Sequence, residues 1–331
     1  MTIIKKLCGT AAAAAGLLAL LAPAAAEDTL KVAIPSRGTW ESAAPDLGQQ
    51  AGIFKKHGIV LELRYTESSN ETEAAVVSGS ADIGLGVEAY SALRAFSRGT
   101  PVRVIGAHLN GDTNYWYVLA SSPIRTIKDI ADRTVAYASN GSSSHYDLLD
   151  LLKNAKIKAR LVPTGGTAAG LDRLQQNRLD VAWGRPPFGA EEIEQGKIRV
   201  VARANDVAST RTKTETVLIT TAPTLQSRGD VTARFMRAYR ETIEWMYTSP
   251  EAIERYATLA GISRPAAQRV RDEFYPKAML VPDQIVGLRA MLKEARALRF
   301  IQFRMSRKEV AELFRTPTPV STGFLGAFAS P

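Results

Sequence analysis

The sequence predicts an α/β protein built as two lobes. Three observations carry that expectation: the length, a recurring order of short strand, glycine-containing loop and helix, and a final stretch that is helical only. With 331 residues, 45% of them hydrophobic, the chain exceeds the roughly 100 to 200 residues of one ordinary domain and has material for two cores. Strands alternating with helices predict right-handed βαβ units and a mostly parallel sheet.

Residues 1–26 stand apart from that order. Lys5 and Lys6 form a basic start, "AAAAAGLLALLAP" is an apolar run too short for a comfortable membrane span, and Ala24, Ala25 and Ala26 give a small-residue cleavage pattern. The segment reads as a secretory signal peptide cut after Ala26. The only cysteine, Cys8, lies inside it and lacks a lipoprotein cleavage context, so the mature chain is expected to have no disulfide and no lipid anchor.

The first lobe is expected over residues 27–113. "TLKVAIP" is a strand, "ESAAPDLGQQAG" a helix closed by Gly52, and "GIVLELRYT" a second strand. "NETEAAVVSG" is a helix ending near Gly79, followed by the strand "ADIGLGV", the helix "EAYSALRAFSRG" and the strand "VRVIGAHL". The second lobe is expected over 114–214. Its strands are "NYWYVLAS", "TVAYAS", "ARLVPT", "LDVAWGR" and "IRVVARA"; its helices are "TIKDIADR", "SSSHYDLLDLLKNAK", "TAAGLDRLQQNR" and "AEEIEQGK". "ETVLITTAP" then returns as a strand to the first lobe, which resumes over 215–315. From Asp230 onward the pattern is helical alone, as in "VTARFMRAYRETIEWMYT" and "PDQIVGLRAMLKEARAL". The chain crosses between lobes near 112–117 and again near 205–216, and residues 316–331 read as an irregular tail.

The formal charge is +9, and loss of the leader's two lysines and no acids takes it to +7. Acids alternate with the bases on helix faces such as "KEARALRF", which is the pattern of a solvated surface. Without a basic cluster, nucleic acid is excluded as a partner, while a positive field favours an anionic solute.

Several stretches together resemble one family. They are "LKVAIPSRGTWESAAPDLGQQAGIFKKHGIVLELR", "SGSADIGLG", "SSPIRTIKDIADRTVAYASNGSSSHYDLLDLL" and "LDVAWGRPP". The chain is similar to the periplasmic solute-binding proteins of ABC importers, of the nitrate, sulfonate and taurine type, which includes binders of a thiamine pyrimidine precursor. The resemblance implies a type II periplasmic binding fold, two α/β lobes joined by two crossover segments with a ligand cleft between them. It also implies a monomer in the periplasm that closes by hinge motion on a small solute and delivers it to a membrane permease and its ATPase. Trp40 in the first loop, "NYWY" at the crossover and the tail after Phe314 depart from the commonest pattern.

Candidate site residues follow from strand ends, where ligands collect in open α/β sheets. After the first strand, Ser36, Arg37 and Thr39 suit an anion and Trp40 an apolar wall; helix capping is the plain alternative. Gly86 allows close backbone approach beside Val87 and Glu88, but Ala89 stands where a dinucleotide fingerprint needs glycine. Asn114 and Tyr115 open the crossover strand, in which Tyr115 and Tyr117 face one side and Trp116 the other. Gly141, Ser142, Ser143, Ser144 and His145 lie where a second-lobe strand hands over to a helix; Ser144, with Asp147 three residues on, fits a cap pattern. Trp183 and Arg185 end another strand, where Arg185 suits a carboxylate or sulfonate or else a surface ion pair. Glu215 sits at the second crossover, as an acid for a solute amine or as a hinge brace.

The expected function is therefore capture of a small organic anion, sulfonate-like or an aromatic or aliphatic carboxylate. "PTGGTAAG" lacks the lysine of a phosphate loop, and three scattered histidines without a nucleophile elbow give no hydrolase constellation and no metal site. No cofactor and no enzymatic activity are expected. A ligand-sensing clamshell and a pyrimidine-precursor enzyme on the same fold are the alternatives.

Overall fold

The computed structural model describes residues 27–316. The leader, Cys8 and all of the tail but Thr316 lie outside the described residues.

Ten strands carry the fold: β1 (Asp28–Pro35), β2 (Ile59–Thr66), β3 (Ile83–Glu88), β4 (Val102–Asn110), β5 (Tyr115–Leu119), β6 (Thr134–Tyr137), β7 (Arg160–Pro163), β8 (Ala182–Gly184), β9 (Ile198–Arg203) and β10 (Thr214–Thr221). Five of them form one sheet in the order β2-β1-β3-β10-β4. β1 pairs in parallel with β2 from Asp28 opposite Ile59 to Pro35 opposite Thr66. Its carboxyl half, Val32 to Pro35, is buried throughout, as a parallel strand covered on both faces must be.

Helices sandwich this sheet. Leu47, Phe54, Phe235, Tyr239 and Met246 pack on one side; Leu93, Met291, Leu313 and Phe314 pack on the other. The helical stretch Ala222–Thr248 spans the first side and kinks at Arg228 (φ −132°, ψ 30°), so a short helix precedes the long one expected from Asp230 onward. Thr221 caps the short helix by accepting from Thr224 N, and Pro223 fits its first turn. The helix read in "PDQIVGLRAMLKEARAL" starts only at Leu288, after Gly287 at φ +68°. Near the end of the described chain, Phe314 bridges Val104 and Arg315 N donates to Val104 O at 2.7 Å, which covers the β4 edge.

The second lobe holds a triplet in the order β8-β5-β9 and a pair β6-β7. A bridge from Val135 to Val181 ties the two together. The expectation of mostly parallel sheets needs correction. β5 is antiparallel to both neighbours, and β10 enters antiparallel between β3 and β4. Both departures occur at the crossovers: the chain runs straight from β4 into β5, and from β9 through the short turns Ala204–Asp206 and Ala208–Arg211 into β10.

The stretch "TIKDIADR" forms only the short turn Ile127–Ile130, with a capping box between Thr126 and Asp129. The helix Ser143–Ala155 is capped by Ser142, not Ser144. Ser142 keeps an extended backbone (ψ 163°) and accepts from His145 N; Ser144 already lies in the first turn, where its hydroxyl accepts from Ala138 N at 3.0 Å. Asp147 turns inward and accepts from Asn114 Nδ2 at 2.9 Å instead of closing a capping box.

Candidate functional site

The two crossovers lie against each other. Gly111 N donates to Lys213 O at 2.7 Å, Asp112 N to Asn205 Oδ1 at 3.0 Å, and Ala204 N to Asn114 O at 2.9 Å. Gly111 stands at φ +80°, and a Cβ there would meet Asn205 Oδ1 at 2.6 Å, so the close approach of the strands requires glycine.

β4 delivers polar groups to this junction. His108 and Asn110 lie two apart in the strand and share a face, and Asp112 follows just past it, beyond the turn at Gly111. His108 Nδ1 meets Thr216 Oγ1 at 3.0 Å, and Asn110 Oδ1 accepts from Thr214 Oγ1 at 2.6 Å. Asp112 Oδ1 accepts from Asn114 N at 2.9 Å. The remaining ends, His108 Nε2, Asn110 Nδ2 and Asp112 Oδ2, are buried without a protein partner, as are Glu41 Oε2 and Tyr239 OH. Buried polar atoms are almost always satisfied by protein or by ordered water, so this group of exceptions makes the junction the candidate place for water or a solute to bind.

Arg185 reaches this group from the end of β8. Its nearest carboxylate, Glu41 in the turn after β1, stands at 3.9 Å, outside hydrogen-bond range. Water reaches a third of the Arg185 side chain (33%), yet the guanidinium lies deep among protein groups. Burial opposes its charge, and Asp112 and Glu41, then Tyr275 and Glu215, overcome that and hold it protonated. Burial, with the Arg185 charge second, lowers His108 to about 3, so its imidazole is neutral.

The acids bear the opposite strain. Glu215 is pushed up to about 7, by burial first and by Asp112 next, with Lys213 and Arg185 pulling the other way and Glu88 adding a further rise. Asp147 is raised well above the carboxylate range, again by burial and then by Asp112 and Glu215, against Asn114 and Lys213. Perturbed carboxyls and a buried guanidinium gathered at a junction of lobes are the marks of a binding site. A cavity of about 330 Å³ adjoins the junction, lined in part by Asn110, Asp112, Thr113, Asn114 and Phe274.

The predicted residues divide among three settings. Arg185, Glu215 and Asn114 lie at the junction, and Gly86 borders it, with a Cβ at that position 3.6 Å from His108 Cε1. Glu88 is exposed, near enough to influence Glu215. Around the helix start, Gly141 is exposed with N donating to His145 Nδ1 at 3.1 Å, and Ser143 Oγ accepts from Asn114 Nδ2 at 3.1 Å. His145 stacks on Tyr137 with centroids 4.6 Å apart, and Ser142 and Ser144 are engaged in the turn as described.

The rest are packed or turned elsewhere. Trp40 is fully buried, edge-on to Tyr256, with Nε1 donating to Tyr247 OH at 3.1 Å. Tyr115 is fully buried between Phe274 of the C-terminal helices and Phe188, whose carbonyl accepts from Tyr115 OH; Val87 lies in the first-lobe core, and Trp183 Nε1 donates to Thr164 Oγ1 at 3.2 Å. Ser36 and Arg37 are exposed, Arg37 over the Tyr65 ring, and Thr39 is buried with Oγ1 donating to Ser36 O at 3.4 Å. Sequence reasoning passed over Glu41, His108, Asn110, Asp112, Asp147 and Tyr239 as site residues. The spacing of His108 and Asn110 in a strand otherwise apolar but for Arg103 was the available signal for two of them.

The second lobe also contacts the C-terminal helices. Arg269 Nε donates to Glu194 Oε2 at 2.8 Å and Arg203 Nη2 to Glu273 Oε2 at 2.9 Å, while Glu191 accepts from Ser263 N. Among the described residues no helix is long and apolar enough to cross a membrane, and no cluster of His, Cys, Asp or Glu suits a metal ion.

Solved structures share this fold. The periplasmic aliphatic sulphonate binding protein SsuA of Escherichia coli matches with a TM-score of 0.68 at 18% identity, covering 89% of this chain and 94% of that one. The alkanesulfonate-binding protein SsuA of Xanthomonas axonopodis pv. citri, bound to MOPS, matches at 0.62 and 16%, covering 88% and 100%. The desulfurization enzyme DSZB matches at 0.62 and 16%, covering 85% and 95%, so binders and an enzyme share the architecture. No curated protein matches the chain. The type II periplasmic binding fold expected from the sequence is the fold observed. Residues 45–253, more than half of the chain, match the family model described as NMT1/THI5 like. The chain belongs to the NMT1/THI5-like family, in keeping with its resemblance to nitrate, sulfonate and taurine-type solute-binding proteins.

Proposed function

We propose that the protein is the periplasmic solute-binding component of an ABC importer, capturing a small organic solute with an acidic group between its lobes. In this reading one lobe comprises 27–113 and 215–315, the other 114–214, and residues 1–26 are a leader removed on export. The monomer closes on the solute and presents it to a permease and ATPase.

One observation carries the reading: Arg185, from the second lobe, reaches in beside Glu41 of the first and is kept charged by acids around the crossovers. A guanidinium held outside hydrogen-bond range of its nearest carboxylate keeps donors for a carboxylate or sulfonate. Closure then places the solute where both lobes touch it, and the equilibrium between open and closed forms shifts by the solute's preference for the closed one. The sulfonate-binding proteins of the same fold support this reading; the fold shared with DSZB makes turnover the alternative to watch for.

The test strips carried-over solute by unfolding and refolding, then titrates sulfonates, nitrate, aromatic acids and pyrimidines by calorimetry. Heat with a matching rise in melting temperature is expected from at least one acid, weakened roughly tenfold or more in Arg185→Ala. No heat and no thermal stabilisation from any anion would overturn the proposal, and chemical change of a bound compound would favour an enzyme.

A further inference from the structure

The junction carries more acid than base. Among the described residues, Glu41, Asp112, Asp147 and Glu215 gather there, and Arg185 and Lys213 oppose them. Lys213 is drawn aside, its ammonium 5.5 Å from the centre of the Tyr90 ring. Asp147 is answered by Asn114 Nδ2. Glu41 Oε2 and Asp112 Oδ2 are answered by nothing in the protein, although both residues are more than nine-tenths buried.

We infer that the solute carries a nitrogen donor, a protonated amine or amidine, seated against Glu41 and Asp112, with its acidic end on Arg185. The inference rests on the proposed reading of the cleft as the solute site. A buried carboxylate oxygen without a donor is unfavourable, and a solute N–H or ammonium supplies what the protein withholds. His108 makes no hydrogen bond to either oxygen: Nδ1 faces Thr216, and Nε2 has no partner in the protein. A plain oxyanion satisfies Arg185 and leaves those oxygens as they were. A molecule with both ends answers both, since Arg185 and Glu41 stand only 3.9 Å apart, from opposite lobes. The cleft is thus bipolar, and it discriminates by the group that a simple sulfonate or carboxylate lacks.

Matched pairs test this on the stripped full-length mature protein: propanesulfonate against homotaurine, butyrate against γ-aminobutyrate, and benzoate against p-aminomethylbenzoate. Calorimetry should show the amino member binding roughly tenfold or more tighter in at least one pair, with no pair showing the reverse preference. Glu41→Gln should bring that preference to within about threefold through weaker binding of the amino member, and a melting temperature of the ligand-free variant near that of the wild type reports that it is folded. Binding by the plain acids with equal or greater affinity overturns the inference and leaves the cleft reading standing. Binding by no member of any pair also overturns it. A preference that survives Glu41→Gln unchanged overturns the assignment of the donor to Glu41.

Discussion

Replacing Glu215 with glutamine should stabilise the ligand-free protein at alkaline pH and leave it unchanged in acid. Glu215 titrates at about 7 in the folded protein against an ordinary 4.5. For an acid raised in this way the sign is fixed. Its neutral form suits the fold, so its contribution is fully present below pH 4.5 and is lost as pH climbs through 7. At about 1.4 kcal/mol per pH unit, the shift sets an upper value of about 3 kcal/mol at pH above 7. Because the side chain is only partly buried and Asp112 and Asp147 share the repulsion, about 1 to 2 kcal/mol is the effect to look for. Urea unfolding of both proteins across mildly acidic to mildly alkaline pH measures it. The wild type should lose stability as pH rises through this window, and Glu215→Gln should lose less. Equal pH slopes, or a variant less stable than wild type in alkali, would refute the burial and charge argument for the junction.

Three further outcomes follow from local geometry. Gly111→Ala forces a side chain into positive φ and against Asn205, so its urea midpoint should fall by the equivalent of about 1 to 3 kcal/mol. Ser142→Ala removes the cap of the helix Ser143–Ala155 and should cost about 1 kcal/mol in the same assay, whereas the cap pattern alone would have pointed to Ser144. Arg269→Ala removes a part-exposed link between the lobes worth about 1 kcal/mol or less, so calorimetry of any bound solute should show an affinity loss of roughly fivefold at most.

Much of the fold was legible because apolar spacing reports which segments are strands and helices. β1 and β2 declare themselves through "VAIP" and "IVLELRYT", and the helical C-terminal third through 3.6-residue spacing in segments such as Pro250–Ala260 and Leu288–Ala297. Direction was not legible. β5 and β10 read as strands, yet nothing in five to eight residues says whether a neighbour runs alongside or against them. The site was less visible still. Trp40 looked like a cleft wall from its place after β1, but the adjacent Glu41 is the residue that faces Arg185, while Trp40 fills the space beside Tyr247 and Tyr256. One residue of turn geometry separates the two, and local sequence does not fix it. Asp147 looked like a capping partner because its spacing from Ser144 allows one; Asn114, 33 positions earlier, claims it instead. Arg185 and Glu215 were readable because each stands at a strand end or crossover, where chain order alone puts charge near the cleft.

The most direct test of the central claim is a crystal structure of the mature protein with a solute that gives heat in calorimetry. The account predicts density for the solute between the lobes, in contact with Arg185 from one side and with Glu41 or Asp112 from the other. Density on an outer face of either lobe, out of reach of Arg185, Glu41 and Asp112, would contradict it.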